Sequence, residues 1–335
     1  MPTACITQPH ARIGLVSGRL QVSGPSPATG RDAILREIPI RDTDRLIILE
    51  SVQITAPALA ELLRQEIPIS ILDWGGDFLG GFLPAGNKHG GWRLRQYQQT
   101  LDPVFTLQAA GRIVAAKIYN QRRVLQRLAA NRAMDLSPEL TWLQSLLSSV
   151  SRSRSLDELR GFEGISTARY FQAWARFFPA DFPFERRSTR PPHNPTNACL
   201  SFAATLLYRE AVAAIHAHGL DPALGLLHVT DDRRWSLALD LMEPFRPVLA
   251  EALTLDLFTH QMLKPDDFEP QKGGIYLTGC GRNTLILQYE RRMERQFLSE
   301  HTGCRTSLRQ QLEQQAVDYK ASLENRDRFN PFLMN

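Results

Sequence analysis

The spacing of apolar residues changes once along this 335-residue chain, near residue 90, and that change limits the folds open to it. Before the change, short runs rich in β-branched residues at 44–51 and 67–74 predict strands. The run at 11–24, ARIGLVSGRLQVSG, predicts a hairpin that turns at Ser17 and Gly18. The first part of the chain is therefore expected to be rich in β-structure.

Beyond this point apolar residues recur at helical spacing, as in 107–128. The segment 87–91, NKHGG, has the composition of a linker. We predict an α+β protein, with a β-rich domain over residues 1–90 followed by a mostly α-helical domain over residues 91–335. The chain is long enough to give both parts a core.

Composition narrows the environment and the chemistry. The chain has 43% hydrophobic and 22% charged residues, as soluble proteins do, and neither a leader nor an apolar run long enough for a membrane span is evident. We expect a cytoplasmic protein. Its four cysteines are scattered and predict free thiols rather than a disulfide frame or a zinc site: Cys5, Cys199, Cys280 and Cys304.

One stretch, residues 225–247, combines a histidine with two acids in apolar surroundings. Ser236 is the expected N-cap of a helix on which Asp240 and Glu243 lie one turn apart on the same face, close in sequence to His228. Two buried carboxylates are costly unless something neutralises them. A divalent cation would neutralise them. An ordinary helix start explains the pattern equally well, because acidic side chains interact favourably with the helix dipole near its N-terminus.

Histidine nitrogen with carboxylate oxygens is a donor set that suits Mg²⁺ or Mn²⁺. The HExxH motif of zinc hydrolases is absent, as are a P-loop, a nucleophile elbow and a dinucleotide-binding glycine fingerprint. Acyl transfer and nucleotide-driven chemistry therefore have no support. A metal site of this kind can activate a phosphodiester bond. The attacking group is then either water or a DNA 3′-hydroxyl.

Four blocks in order resemble the Cas-one family, the integrases of CRISPR adaptation. These are LRGFEGISTARYF at 159–171, NACLSFAATLLYREA at 197–211, the stretch at 225–247, and GGIYLTGCGRNTLILQYERRM at 273–293. The resemblance implies a metal site of Glu163, His228 and Glu243, with Asp240 supporting a ligand or bound water. Tyr208 is expected to pack in the core with its hydroxyl at the pocket edge, and a direct catalytic part is the alternative.

The same resemblance implies a metal-dependent endonuclease and integrase that inserts new spacer DNA into the CRISPR repeat array by 3′-hydroxyl attack. It implies double-stranded DNA as partner, a homodimer formed through the β-rich domain, and a small "Cas-two" subunit. Two alternatives stay open at this point. One is a generic divalent-metal-dependent nuclease, and the other is a non-catalytic DNA-binding scaffold.

Basic residues are concentrated where DNA is expected to bind. Residues 91–135 hold eight basic and two acidic residues, so few acids are available to neutralise that helix face. The ordinary explanation of this charge pattern is a solvent-exposed helix face. The ordinary explanation of the proline-rich loop 185–197 is a stiff connector between helices. The expected phosphate contacts are Arg112, Lys117, Arg122, Arg123, Arg186, Arg187, Arg190 and Arg246.

Overall fold

The computed structural model describes residues 3–6, 8–25, 31–72, 78–82, 84, 89–232, 234–300 and 302–335. The chain divides into two compact units, Met1–Lys88 and His89–Asn335. Residues 87 and 88 of the expected linker lie outside the described residues. Strands dominate the first unit and helices the second, which confirms the predicted α+β class.

The first unit contains two four-stranded sheets, with strand orders β1-β5-β7-β8 and β4-β3-β2-β6. β1, β5 and β7 run parallel, whereas β2, β3 and β4 form an antiparallel meander. The described elements are β1 (Thr3–Ile6), β2 (Arg12–Val16), β3 (Arg19–Pro25), β4 (Asp32–Pro39), β5 (Arg45–Leu49), β6 (Gln53–Ile54), α1 (Ala56–Arg64), β7 (Ile69–Leu72) and β8 (Phe78–Phe82).

The predicted hairpin is present between β2 and β3. Both turn residues, Ser17 and Gly18, have positive φ angles of 48° and 73°, the conformation that a two-residue turn matching strand twist requires. The core beneath is apolar: Ile13, Leu20 and Leu46 are fully buried. α1 buries Ala58 and Leu62 on its inner face in the same core.

The second unit is a helical assembly built around one 30-residue helix, α3, which packs against α4 and α5. A second long helix, α6, packs against α7 and α10. The described helices are α2 (Gly90–Thr100), α3 (Pro103–Arg132), α4 (Ser137–Val150), α5 (Leu156–Ala175), α6 (Pro195–Ala217), α7 (Ser236–Met242), α8 (Ala252–Thr259), α9 (Gly279–Glu294) and α10 (Leu308–Ser322). Two small hairpins join them, β9 (Phe268–Gln271) with β10 (Gly274–Leu277) and β11 (Phe297–Leu298) with β12 (Arg305–Thr306).

The helix expected across residues 236–246 is shorter than predicted. α7 ends at Met242, and a 3-10 turn (Glu243–Phe245) and a π-helical turn (Pro247–Glu251) follow before α8. Pro244 and Pro247 lack the backbone N–H that a regular helix would need. Glu243 therefore lies where the helix changes its winding, one step beyond the helix that carries Asp240.

Ser236 is the first residue of α7 rather than its N-cap, and its hydroxyl donates to the carbonyl of Val229 at 2.8 Å. The predicted cap was therefore wrong, because this serine serves the preceding loop.

α6 is long and apolar enough to cross a membrane by length and composition. However, 61% of its most apolar 18-residue window is buried inside the protein. Its hydrophobic character is accounted for by packing against α7, α8 and α10.

Candidate active site

The candidate site lies where three elements of the helical unit meet. α3 contributes Lys117, α5 contributes Glu163, and the 3-10 turn after α7 contributes Glu243. α3 packs directly against both of the other elements. The loop between α6 and α7 supplies His228 beside them.

Asp240 organises the histidine loop. It is fully buried, and its carboxylate accepts the backbone N–H groups of Leu226 at 2.5 Å, Leu227 at 3.2 Å and His228 at 3.0 Å. Its Oδ1 also lies 2.6 Å from Nδ1 of His228. A carboxylate only accepts, so Nδ1 carries the proton and Nε2 keeps its lone pair for a ligand.

The carboxylates around His228 act on the pKa of its imidazole. Burial lowers the pKa of His228, but the hydrogen bond and charge of Asp240, together with the charges of Glu243 and Glu163, raise it above its usual value. The charges of these three carboxylates therefore act on the His228 imidazole. That Glu163, His228 and Glu243 bind one metal ion stays a prediction.

Lys117 links the two glutamates. Its buried ammonium forms ion pairs with Oε1 of Glu163 and Oε2 of Glu243. Burial lowers the pKa of Lys117, but the charges of Glu243 and Glu163 raise it, so the group stays a cation. Two carboxylates from different elements therefore face a single positive charge.

Each glutamate also has a partner of its own. Thr167 Oγ1 donates to Oε1 of Glu163 at 3.2 Å, and Arg246 Nη1 donates to Oε1 of Glu243 at 3.0 Å. Burial raises the pKa of Glu243, but Lys117 and Arg246 lower it more strongly, to about 2. Glu243 is thus an anion held in a nearly dry position.

The remaining acid in this region, Glu251, was missed by sequence reasoning. It is buried at the end of the π-helical turn, and burial raises its pKa although the charges of Arg246 and Lys117 lower it. Its Oε2 has no hydrogen-bond partner among the described residues. The sequence does contain a signal for this residue, because Glu251 is an acid flanked on both sides by apolar residues: Leu249, Ala250, Ala252 and Leu253.

The described residues contain no ready-formed group of three metal-binding side chains. The donor types nevertheless suit a hard divalent ion: Glu163 and Glu243 each present a carboxylate oxygen to Lys117, and the charges of both act on His228. Oε2 of Glu243 is buried and makes no hydrogen bond of good geometry within the described chain, although it lies against the ammonium of Lys117. An ion-paired oxygen of this kind fits a metal ligand.

Tyr208 occupies a supporting position. Its hydroxyl accepts the backbone N–H of Trp235 at 3.0 Å, just before α7 begins. Its ring stacks on Trp235 with the centroids 6.3 Å apart. The tyrosine therefore anchors the start of the helix that carries Asp240, and its hydroxyl is engaged by the backbone.

Several residues predicted to contact DNA are engaged within the chain. Arg112 donates to the carbonyls of Arg326 and Phe329 at 2.7 and 2.9 Å, and Arg123 donates to the carbonyl of Asn335 at 3.1 Å. Backbone oxygens thus accept the hydrogen bonds of both arginines, and Asp327 forms an ion pair with Arg112 at 3.2 Å. These partners are far away in sequence, so a count of acids within 91–135 could not reveal them.

Others are placed differently. Arg122 donates to the carbonyl of Leu140 at 3.3 Å, and Lys117 is buried instead of facing solvent. Arg187 is largely enclosed and donates to the oxygen of Asn197 at 3.0 Å. In this part of the chain Arg186 and Arg190 remain exposed. Of the predicted set, these two arginines are the ones most open to a phosphate.

Comparison with known proteins gives a consistent result. The family model described as CRISPR associated protein Cas1 matches residues 4–291. A CRISPR-associated endonuclease Cas1 from Thermus thermophilus is 31% identical over 332 residues, covering 98% of this chain and 96% of that protein. The match therefore extends over both units.

A Cas4/Cas1 exonuclease–endonuclease fusion from Geobacter sulfurreducens is 36% identical over 289 residues, covering 84% of this chain. The chain spans about half of that relative, 52% of its length. Among solved structures, a chain of a Cas6-RT-Cas1–Cas2 complex superposes with a TM-score of 0.80 at 26% identity, covering all of this chain and 36% of that one. The matched residues include every element of the candidate site, and the chain belongs to the CRISPR-associated Cas1 family.

Proposed function

We propose that this chain is a divalent-metal-dependent DNA endonuclease and integrase of CRISPR adaptation. It would insert spacer DNA into the repeat array by attack of a DNA 3′-hydroxyl on a phosphodiester. The observation that carries the proposal is the meeting of Glu163 and Glu243 on one cation, with His228 oriented beside them by Asp240. Membership of the Cas1 family supports the same assignment.

The residues that would hold Mg²⁺ or Mn²⁺ are Glu163, Glu243 and His228 through Nε2. Such a metal, when bound, polarises a phosphodiester and stabilises the leaving oxygen. The protein's own contribution is positional. Asp240 fixes the imidazole tautomer, and Arg246 holds Oε1 of Glu243 while Oε2 faces Lys117. Tyr208 anchors the loop end from which α7 starts.

Arg186 and Arg190 are proposed to contact DNA phosphates, because both are exposed in a proline-rich loop that precedes α6. Arginine suits this role since its planar fork matches phosphate oxygens. A Cas2 subunit is the proposed protein partner, because one chain of the solved Cas6-RT-Cas1–Cas2 complex matches all of this chain over 36% of its own length. A homodimer formed through residues 1–90 and a cytoplasmic location complete the proposal.

The decisive experiment uses a labelled duplex with free 3′-hydroxyl ends and a plasmid that carries a CRISPR repeat. We expect strand joining with Mg²⁺ or Mn²⁺ by the wild-type protein, together with the Cas2 subunit, and a loss of at least about 100-fold in His228→Ala. That magnitude is of the order by which removal of a key catalytic group lowers rates. His260→Ala is the matched control, because this exposed histidine bonds only to the end of α8.

Three results would contradict the proposal. Joining that proceeds equally in His228→Ala would remove the histidine from the site. A protein that cuts DNA without joining strands, and that acts equally on duplexes with free 3′-hydroxyl ends and on duplexes blocked by a 3′-dideoxynucleotide, would be a generic nuclease. Indifference of both reactions to Glu163→Ala and His228→Ala would leave only a DNA-binding scaffold.

A further inference from the structure

Lys117 occupies a position that none of the chemistry above uses. It is 2% exposed in the middle of α3, and its ammonium contacts one oxygen from each of the two glutamates proposed as metal ligands. A lysine is a compact point charge on a flexible four-carbon stem. It can therefore balance two carboxylates without being fixed by a planar hydrogen-bonding fork.

The oxygens that Lys117 contacts are the ones a divalent ion would need. Oε1 of Glu163 and Oε2 of Glu243 face the same ammonium nitrogen. A metal ligated by both glutamates would place its charge next to that nitrogen, and two cations at contact distance in a buried site repel strongly. Lysine and metal are thus alternative counter-ions for one pair of carboxylates.

The two carboxylates are held by other groups as well. Gln121 donates to Thr167 Oγ1 at 3.3 Å, and Thr167 donates in turn to Glu163. Arg246 holds Glu243 from its other oxygen. Removal of the ammonium therefore leaves each carboxylate with an anchor, so that both remain positioned when the lysine is replaced by a metal.

Solvent has access to one side of this pair. The Glu163 side chain is 27% exposed, whereas the side chains of Lys117 and Glu243 are 2% and 3% exposed. Glu163 is therefore the member of this cluster that solvent, and with it a hydrated ion, contacts first.

We propose that Lys117 is an internal cation that holds Glu163 and Glu243 together in the metal-free protein and competes with the divalent metal for them. This inference rests on the proposed metal site. Lys117 is a positioning residue: it keeps two like charges adjacent while the site is empty of metal, and its withdrawal makes their oxygens available. Metal affinity is therefore set partly by the cost of displacing the lysine.

The test is Mn²⁺ binding by calorimetry on the purified 335-residue protein at constant pH. Lys117→Met removes the charge and keeps much of the stem, and we expect its Kd for Mn²⁺ to fall at least about tenfold. Lys117→Arg, which restores a cation, should bind Mn²⁺ no more tightly than the wild type. Lys320→Met is the matched control, since that lysine lies over the Trp92 ring and donates to the carbonyl of His218.

A thermal melt in EDTA provides a second readout. Without metal, Lys117→Met should melt at a lower temperature than the wild type, because two carboxylates lose their shared counter-ion. Saturating Mn²⁺ should then raise the melting temperature of Lys117→Met by more than it raises that of the wild type. An unchanged or raised Kd in Lys117→Met, with normal Mn²⁺ binding by the wild type, would overturn the inference and leave the proposed function intact.

A footprint on the unmodified protein keeps the inference testable if the variant does not fold. Lysine acylation read by mass spectrometry should leave Lys117 protected in EDTA and modify it faster when Mn²⁺ is present. Lys264 and Lys272 are exposed and serve as internal references whose modification should not change. Equal protection of Lys117 with and without bound Mn²⁺ would refute displacement, whereas absence of Mn²⁺ binding in the wild type would refute the metal site itself.

Discussion

The helical unit contains two buried clusters of opposite charges that differ in what they are built to do. In the first, the ammonium of Lys117 contacts Glu163 and Glu243. In the second, the guanidinium of Arg309 contacts Glu210 at 3.2 Å, Glu290 at 2.9 Å and Glu294 at 2.5 Å. The nature of the central cation is the important difference.

The Arg309 cluster is a structural joint. Its guanidinium distributes hydrogen bonds over three carboxylates from α6 and α9, and such a fork keeps its charge and geometry. Burial raises the pKa of Glu290, although the charge of Arg309 opposes that effect. No histidine is among the contacts that bring these three acids together.

The Lys117 cluster is organised differently. Each of its acids has a second anchor, and the charges of both acids act on His228, whose Nδ1 faces Asp240. We propose that its cation is replaceable. Buried ion pairs by themselves are weak evidence for function. The comparison teaches that a candidate metal site is recognised by carboxylates that can lose their counter-ion without losing their position.

The largest expected effect that separates the two clusters is on stability. Arg309→Met should lower the free energy of unfolding by about 3–5 kcal/mol, the usual cost of leaving a buried charge without its partner. Urea denaturation followed by circular dichroism measures this. Mn²⁺ affinity of the folded variant should be that of the wild type, and a large loss of Mn²⁺ binding would show that the two clusters are coupled.

An intermediate effect is expected at Asp240. Asp240→Asn replaces one accepting oxygen by an amide that cannot accept the N–H groups of Leu226 and Leu227. We expect Mn²⁺ affinity to fall about 10–100-fold, as for other residues that orient a metal-binding histidine. Isothermal titration with Mn²⁺ measures it.

Glu243→Ala is the comparison variant for that prediction, and it should abolish measurable Mn²⁺ binding together with strand joining. If Asp240→Asn lost binding completely while Glu243→Ala kept it, the roles of the two acids would be reversed.

The smallest expected effect concerns the helix that carries Arg309. Ser307 caps α10 through a capping box: its hydroxyl accepts the backbone N–H of Gln310 at 3.3 Å, and the side-chain oxygen of Gln310 accepts the backbone N–H of Ser307 at 3.0 Å. Ser307→Ala should cost about 1 kcal/mol of stability. Joining activity should not change, and a drop in activity greater than the loss of folded protein would link α10 to the Lys117 cluster.

Local patterns in the sequence predicted a good part of this protein. The hairpin at Ser17 and Gly18 follows from alternation around a turn, and the change to helical spacing near residue 90 follows from periodicity. The acid-rich helix with His228 nearby pointed to the site, because an acid among apolar residues must find a compensating charge. These features depend on neighbours within a few residues, which the sequence displays directly.

Winding at the site was less predictable. The sequence predicted one helix over 236–246. Prolines at 244 and 247 interrupt that helix, and Glu243 faces Lys117 from a 3-10 turn. Spacing counted on an ideal helix therefore places Asp240 and Glu243 on one face, whereas the fold gives them different partners.

The counter-ions were decided by tertiary structure alone. Lys117 and Arg123 look alike in a basic helix, yet one is buried between Glu163 and Glu243 and the other donates to a carbonyl 212 residues away. Which charge meets which oxygen depends on elements far apart in the chain that pack together only in the folded state. The sequence by itself determined which residues need a partner, and packing determined the partner, because burial and electrostatic energy depend on distances in space and not along the chain.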